Sequence, residues 1–104
     1  MLPQPSSDAF PALSPEMDRP TMEQLIAEFV EDLLRRDFGH LCQLMYRHDV
    51  DERRFNEALQ QPDDAGRARE IARLVVDREL LKMKTRAAYA QWKQRNQLNP
   101  NDGD

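Results

Sequence analysis

The sequence predicts an all-α fold, a small domain of four helices flanked by irregular termini. Three observations carry that expectation. Met22, Leu25, Ile26, Phe29, Val30, Leu33 and Leu34 recur at intervals of three and four residues, the period of a helix with one buried face. Three aspartates stand where further helices would begin: Asp37, Asp51, and Asp63 or its neighbour Asp64. No stretch alternates apolar and polar residues as a half-buried strand does.

The elements follow in order. Residues 1–19 form a proline-rich segment, with Pro3, Pro5, Pro11 and Pro15 followed at once by Pro20. Proline lacks an amide donor and restricts the residue before it, so no helix survives that density. The segment reads as a disordered tail that buries nothing. Phe10, Leu13 and Met17 are its main apolar residues.

The helical domain spans residues 20–96. Thr21 is positioned to cap the first helix, with Gln24 at the capping-box position. Arg35 and Arg36 close that helix, which suits the negative end of its dipole. The second helix runs from the Asp37 cap to about His48. The third runs from Asp51 to near Gln61, where Pro62 ends it. The fourth continues to about Arg95. Residues 97–104 are polar and read as a second disordered tail.

The segment Leu44-Met45-Tyr46-Arg47-His48-Asp49-Val50 raises a specific question. A helix-turn-helix needs a close-packing residue, a turn residue four positions on that tolerates positive φ, then a hydrophobe, then an anchor five positions later. Met45, Asp49, Val50 and Phe55 occupy those places. Asp enters the left-handed region more readily than most residues. Two helices and a tight turn are therefore expected over 44–59. DNA reading is a separate matter, because the second helix carries Asp51, Glu52 and Glu57 against Arg53 and Arg54. Binding to DNA depends mainly on neutralising phosphates, so plain packing is the better reading.

The same residues, with Arg78-Glu79 and Lys82 downstream, resemble a group of small uncharacterised bacterial all-helical proteins. These share an L-x-Y-R-x-D-V segment and a C-terminal R-E-x-x-K helix. The resemblance implies an all-helical fold and a bacterial, cytoplasmic setting; no activity comes with it. His48 departs from the hydrophobe usual at its position. Met45-Tyr46-Arg47 is also similar to the Leu-Tyr-Arg signature of small mitochondrial assembly factors. There the signature opens the first helix, whereas here it follows a complete one.

Composition limits the remaining functions. The chain has 104 residues, 33% of them charged, and a single cysteine, Cys42. No internal disulfide is possible, no membrane-spanning run is present, and no signal peptide is visible at the start. His40, Cys42 and His48 lack a fourth ligand at a suitable spacing, so no metal is expected. The glycines are scattered and the serines lie in the N-terminal segment. No cofactor and no catalytic residue is predicted, and the chain is not read as an enzyme.

The fourth helix is the most informative element. At 100° per residue, Ala72, Val76, Leu80, Met83 and Ala87 fall on one side, and Ile71, Leu74, Leu81, Tyr89 and Trp92 roughly opposite. A surface helix needs one apolar stripe; two imply helices on both sides or a second molecule. The first helix is too short to reach Tyr89 and Trp92. Leu81, Ala88, Tyr89 and Trp92 are therefore the candidate partner-binding residues, for a second copy of the chain or another protein. Residues 1–64 carry 14 acids against 6 bases, whereas 78–95 carry six bases against Glu79 alone. Arg53, Arg54, Lys84, Arg86, Lys93 and Arg95 are thus the candidates for the alternative, nucleic-acid binding. Arg78 is expected to bury its stem and pair with Asp49 or Asp32.

Overall fold

The computed structural model describes residues 9–97, and their side chains through Arg95. It is an all-α domain of four helices: α1 (Arg19–Arg36), α2 (Phe38–Arg47), α3 (Glu52–Ala58) and α4 (Asp64–Gln97). No strand occurs among the described residues.

Each helix starts where a short acidic side chain can accept a free backbone N–H. For α1 that residue is Asp18, whose Oδ1 accepts from the Thr21 N–H at 2.9 Å. The expected cap, Thr21, is instead a residue of the first turn. The reason is Pro20, which fits the first turn because its missing N–H has no intrahelical partner there. The helix can therefore begin before the proline rather than after it. Asp37 accepts from the His40 N–H at 3.1 Å. Asp51 accepts from the Arg53 N–H at 3.0 Å. Asp63 accepts from the Gly66 N–H at 2.7 Å, and α4 begins at the next residue.

The core is one cluster of side chains: α4 packs on α1 and α3, and α2 joins it through those two helices. Met22, Ile26, Val30 and Leu33 form the inward stripe of α1. It meets Ala68, Ile71, Ala72, Val75 and Val76 of α4. Leu41, Leu44 and Met45 of α2 and Phe55 and Ala58 of α3 complete the cluster. Small residues on α4 (Ala68, Ala72) let α1 approach closely, while the branched residues fill the space between. Burial of each such Leu, Ile or Val contributes roughly 1.5–3 kcal/mol. On the outer face of α1, Arg19–Glu23, Arg35–Glu31 and Arg36–Asp32 pair at i,i+4. Arg19 also reaches Asp77 of α4 at 2.6 Å.

The turn between α2 and α3 is built as its spacing predicts. Asp49 has φ 57°, the one described non-glycine residue with positive φ. The Val50 N–H donates to the Met45 carbonyl at 3.1 Å, and Val50 packs on the core.

The N-terminal boundary differs from expectation. Residues 1–8 lie outside the described region. From Ala9 to Asp18 there is no helix, as the prolines require, but the chain is packed. Phe10 is 8% exposed and belongs to the core cluster, with Leu13 and Met17 packed against it. Its ring stands edge-on to Phe29 at 5.7 Å and to His48 at 4.8 Å. Proline density forbids the helix but does not forbid docking in an extended form. Past Gln97, the expected second tail also lies outside the described residues.

Candidate functional site

α4 is the element that sets the molecule's shape. Its 34 residues make about 51 Å of helix at 1.5 Å per residue, and the described chain measures 57 Å along its longest axis. The partner helices cover only its first half. Both apolar stripes are covered as far as Leu80: Ile71, Ala72, Val75 and Val76 are buried, and Leu74 and Leu80 are half-buried against the cluster. From Lys84 to Arg95 every side chain is exposed. The last turns of α4 form an arm projecting beyond the domain.

The four candidate partner-binding residues lie on this arm or at its base. Leu81, Tyr89 and Trp92 are 51%, 59% and 56% exposed, and Ala88 is exposed between them. The Tyr89 and Trp92 rings stack on each other, 5.8 Å apart and inclined by 27°. Leu81 sits farther back, where the arm meets the domain. There it borders a depression of about 200 Å³ that also takes in Val50, Asp51, Arg54, Leu74 and Arg78. No signal along the chain marks this depression, because Val50 and Leu81 come from different elements. Only the α2–α3 turn brings them together.

The six candidate cations fall into two groups. Lys84, Arg86, Lys93 and Arg95 are exposed on the arm and form no ion pair among the described residues. Arg53 and Arg54 stand on α3. Arg53 lines a shallow surface with Glu52, Asn56, Glu57 and Gln60, so an acid lies on either side of it in sequence register. Arg54 Nε lies 4.0 Å from Asp51 Oδ2, and Arg54 lines a depression with Glu57 and Glu70. The α3 cations are thus matched locally by acids; those of the arm are not.

Arg78 corrects its expectation in part. Its side chain is 36% exposed and its Nη2 lies 3.8 Å from Asp49 Oδ2, so Asp49 is the partner, but through one long contact rather than a fork. Its Nε is buried without a hydrogen-bond partner. Asp32, the other candidate, pairs with Arg36.

A second polar cluster lies where the N-terminal segment, the end of α2 and α4 meet. His48 Nδ1 is buried without a hydrogen-bond partner and stands 3.9 Å from Glu79 Oε2. Lys82 Nζ lies 3.8 Å from the same carboxylate oxygen. Burial pushes the His48 imidazole below its ordinary pKa, the Lys82 charge adds to that, and Glu79 opposes it. Burial likewise raises the Cys42 thiol.

None of this resembles an enclosed reaction chamber. One open depression of about 450 Å³ is lined by Glu52, Arg53, Asn56 and Glu57 of α3 and by Gln60 just past it. Among the described residues no three His, Cys, Asp or Glu side chains gather to hold a metal, and no helix is long and apolar enough to cross a membrane. The chemistry on offer is that of a surface: exposed aromatic and aliphatic groups on a rigid rod, rimmed by cations. No protein-family model, curated protein or solved structure matches the chain.

Proposed function

We propose that this chain is a non-enzymatic protein-interaction module whose docking surface is the projecting arm of α4, from Leu81 to Arg95. One observation carries the reading. Leu81, Tyr89 and Trp92 stay half-exposed or more, while Ile71, Ala72, Val75 and Val76 earlier on the same helix are fully buried. Large aromatics are enriched where proteins meet, because they remove much apolar area from water with few rotamers to fix. A second copy of the chain and a different protein are both admissible occupants on this ground. The setting we assign is the bacterial cytoplasm, on the sequence resemblance and the single cysteine.

Nucleic-acid binding is the second reading. It is favoured by the two stacked rings among unpaired cations, a combination that grips single strands by phosphate contact and stacking. Against it, the rings stack on each other and so occupy one face of each. A photo-crosslinking residue at position 88, with one at Asn56 as control, separates the readings inside the source cell. Protein adducts at position 88 that vanish in Trp92→Glu, with none at position 56, support the module. Nuclease-sensitive adducts at position 88 overturn it.

A further inference from the structure

We infer that the arm of α4 recognises an acidic amphipathic helix of another protein, and not a second copy of this chain. The inference rests on the proposed docking function and specifies its partner. It comes from how the arm's side chains are arranged around its axis. At about 100° per residue, Leu81, Thr85, Ala88, Tyr89 and Trp92 share one arc of about 100°. Lys82, Arg86 and Lys93 run along one flank of that arc. Lys84 and Arg95 run along the other. The result is an apolar seam with a cationic rail on each side.

That pattern is one half of a helix pair. Side chains flanking an apolar seam meet their counterparts on the partner helix and decide which partner is accepted. Residues 80–95 contain five bases and no acid. Two copies of the arm would face cation against cation whether they ran parallel or antiparallel, and like charges in that position select against pairing. Of the acids of α1, Glu23, Glu31 and Asp32 already hold arginines of their own helix, and Glu28 accepts from Gln24. A foreign helix with glutamate or aspartate flanks satisfies both rails at once. The seam does not stop at the arm. It continues through Leu81 into the depression beside Val50 and Leu74, so an apolar residue at one end of the partner helix has a place to insert.

Trp92 is the chain's single tryptophan and reports on the seam directly. The test uses the full chain and synthetic helices of about three heptads. One peptide has a leucine seam and glutamate flanks, one the same seam with lysine flanks, and one glutamate flanks around a serine seam. The expected result is a blue shift of Trp92 emission with the first peptide, and an affinity at least about tenfold above the other two, as complementary charge and seam together require. Lys84→Glu combined with Lys93→Glu, both at exposed positions, should reverse the preference toward the lysine-flanked peptide. Equal binding of all three peptides overturns the inference. So does a free chain that sediments as a dimer with Trp92 already blue-shifted, or tighter binding of oligothymidylate than of the glutamate-flanked helix. If protein adducts form at position 88 in cells while the peptides show no discrimination, the docking function stands and the acidic partner falls.

Discussion

The ring of Phe10 stands edge-on to the imidazole of His48, with centroids 4.8 Å apart, and so ties the proline-rich segment to the end of α2. Phe10 also packs on Phe29 of α1, which makes it a clasp between two helices that otherwise meet through their inward stripes. Removing it should matter. Full truncation of a core phenylalanine costs about 3–5 kcal/mol; this one borders solvent on an irregular segment, so Phe10→Ala should cost about 2–3 kcal/mol. Ala12→Ser, at an exposed position nearby, should cost under about 0.5 kcal/mol, as surface changes usually do. Urea unfolding of the two variants checks this. Equal midpoints would mean that residues 9–17 contribute nothing to stability.

The enclosure of His48 makes stability depend on pH. His48 has a folded-state pKa below its ordinary value, so the unfolded chain takes up the proton first as acid is added. Whichever state binds more protons gains from a fall in pH. Stability should therefore be highest above about pH 6.5, the unperturbed histidine value, and should decline as pH falls through the window below it. Burial, Lys82 and Arg47 disfavour the imidazolium, while Glu79 and Asp49 oppose them without prevailing. Asp18 and Asp32, held low by Thr21 and Arg36, act in a separate, more acidic window. His48→Leu should flatten the curve between pH 5 and 7, a range set by the histidine value of about 6.5. A wild-type unfolding midpoint that rises on acidification across that range would contradict the sign.

These two residues also show where the sequence was legible and where it was not. The periodicity of α1 and the capping aspartates of α2 and α3 could be read directly, because helix formation and capping are local events. The projecting arm was foreseeable too, since helix lengths follow from residue counts. Phe10 could not be recognised. Proline content speaks to hydrogen bonding along the chain and is silent about whether an aromatic ring finds a pocket. The Phe10–His48 contact, like the depression between Val50 and Leu81, depends on elements that approach only in the folded state. His48 itself is largely enclosed in the structure, its side chain 23% exposed.

Asp49 provides a backbone test. A non-glycine residue in the left-handed region costs roughly 1–2 kcal/mol, and Asp is one of the types that bear it best. Asp49→Gly should be neutral or stabilising by up to about 1 kcal/mol, the relief of strain being offset by extra freedom in the unfolded chain. Asp49→Ile should destabilise by about 2 kcal/mol, because a β-branched residue at positive φ is an outlier. Thermal melts of both variants would show a clear loss for Asp49→Ile and none for Asp49→Gly. Equal losses for both would place the turn's stability in the Asp49–Arg78 ion pair instead of in its backbone.

Arg78 is expected to matter less than its position first implies. Its contact with Asp49 is single and long, and Asp49 is exposed, so the pair should contribute under about 1 kcal/mol. Its buried Nε makes no hydrogen bond, which itself opposes folding. Arg78→Met keeps the stem and removes both effects, so stability should change by less than about 0.5 kcal/mol, as at Lys84→Met. Arg78→Ala also strips the stem from Leu74 and Leu81 and should cost about 1 kcal/mol more. A large loss in Arg78→Met would restore the stronger ion pair expected from the sequence.

The arm should behave as a separate unit of stability. Before Leu80, α4 is held by packing on α1 and α3; from Lys84 onward its side chains are exposed. A helix without tertiary contacts is marginal below roughly 12–15 residues, so the arm persists mainly because it continues an anchored helix. Its amides should exchange with solvent by local fraying, while those from Ala68 to Val76 should exchange only on global unfolding. Trp92→Glu removes no core contact and should leave the urea midpoint within about 0.5 kcal/mol of wild type. Trp92, 56% exposed and stacked on Tyr89, should emit to the red of a buried indole. Hydrogen exchange read along α4 tests this directly: protection should fall steeply after Met83 in the free chain and extend toward Arg95 when a partner helix is bound. Uniform protection along α4 in the free chain, with Trp92 shielded, would mean that something already covers the arm.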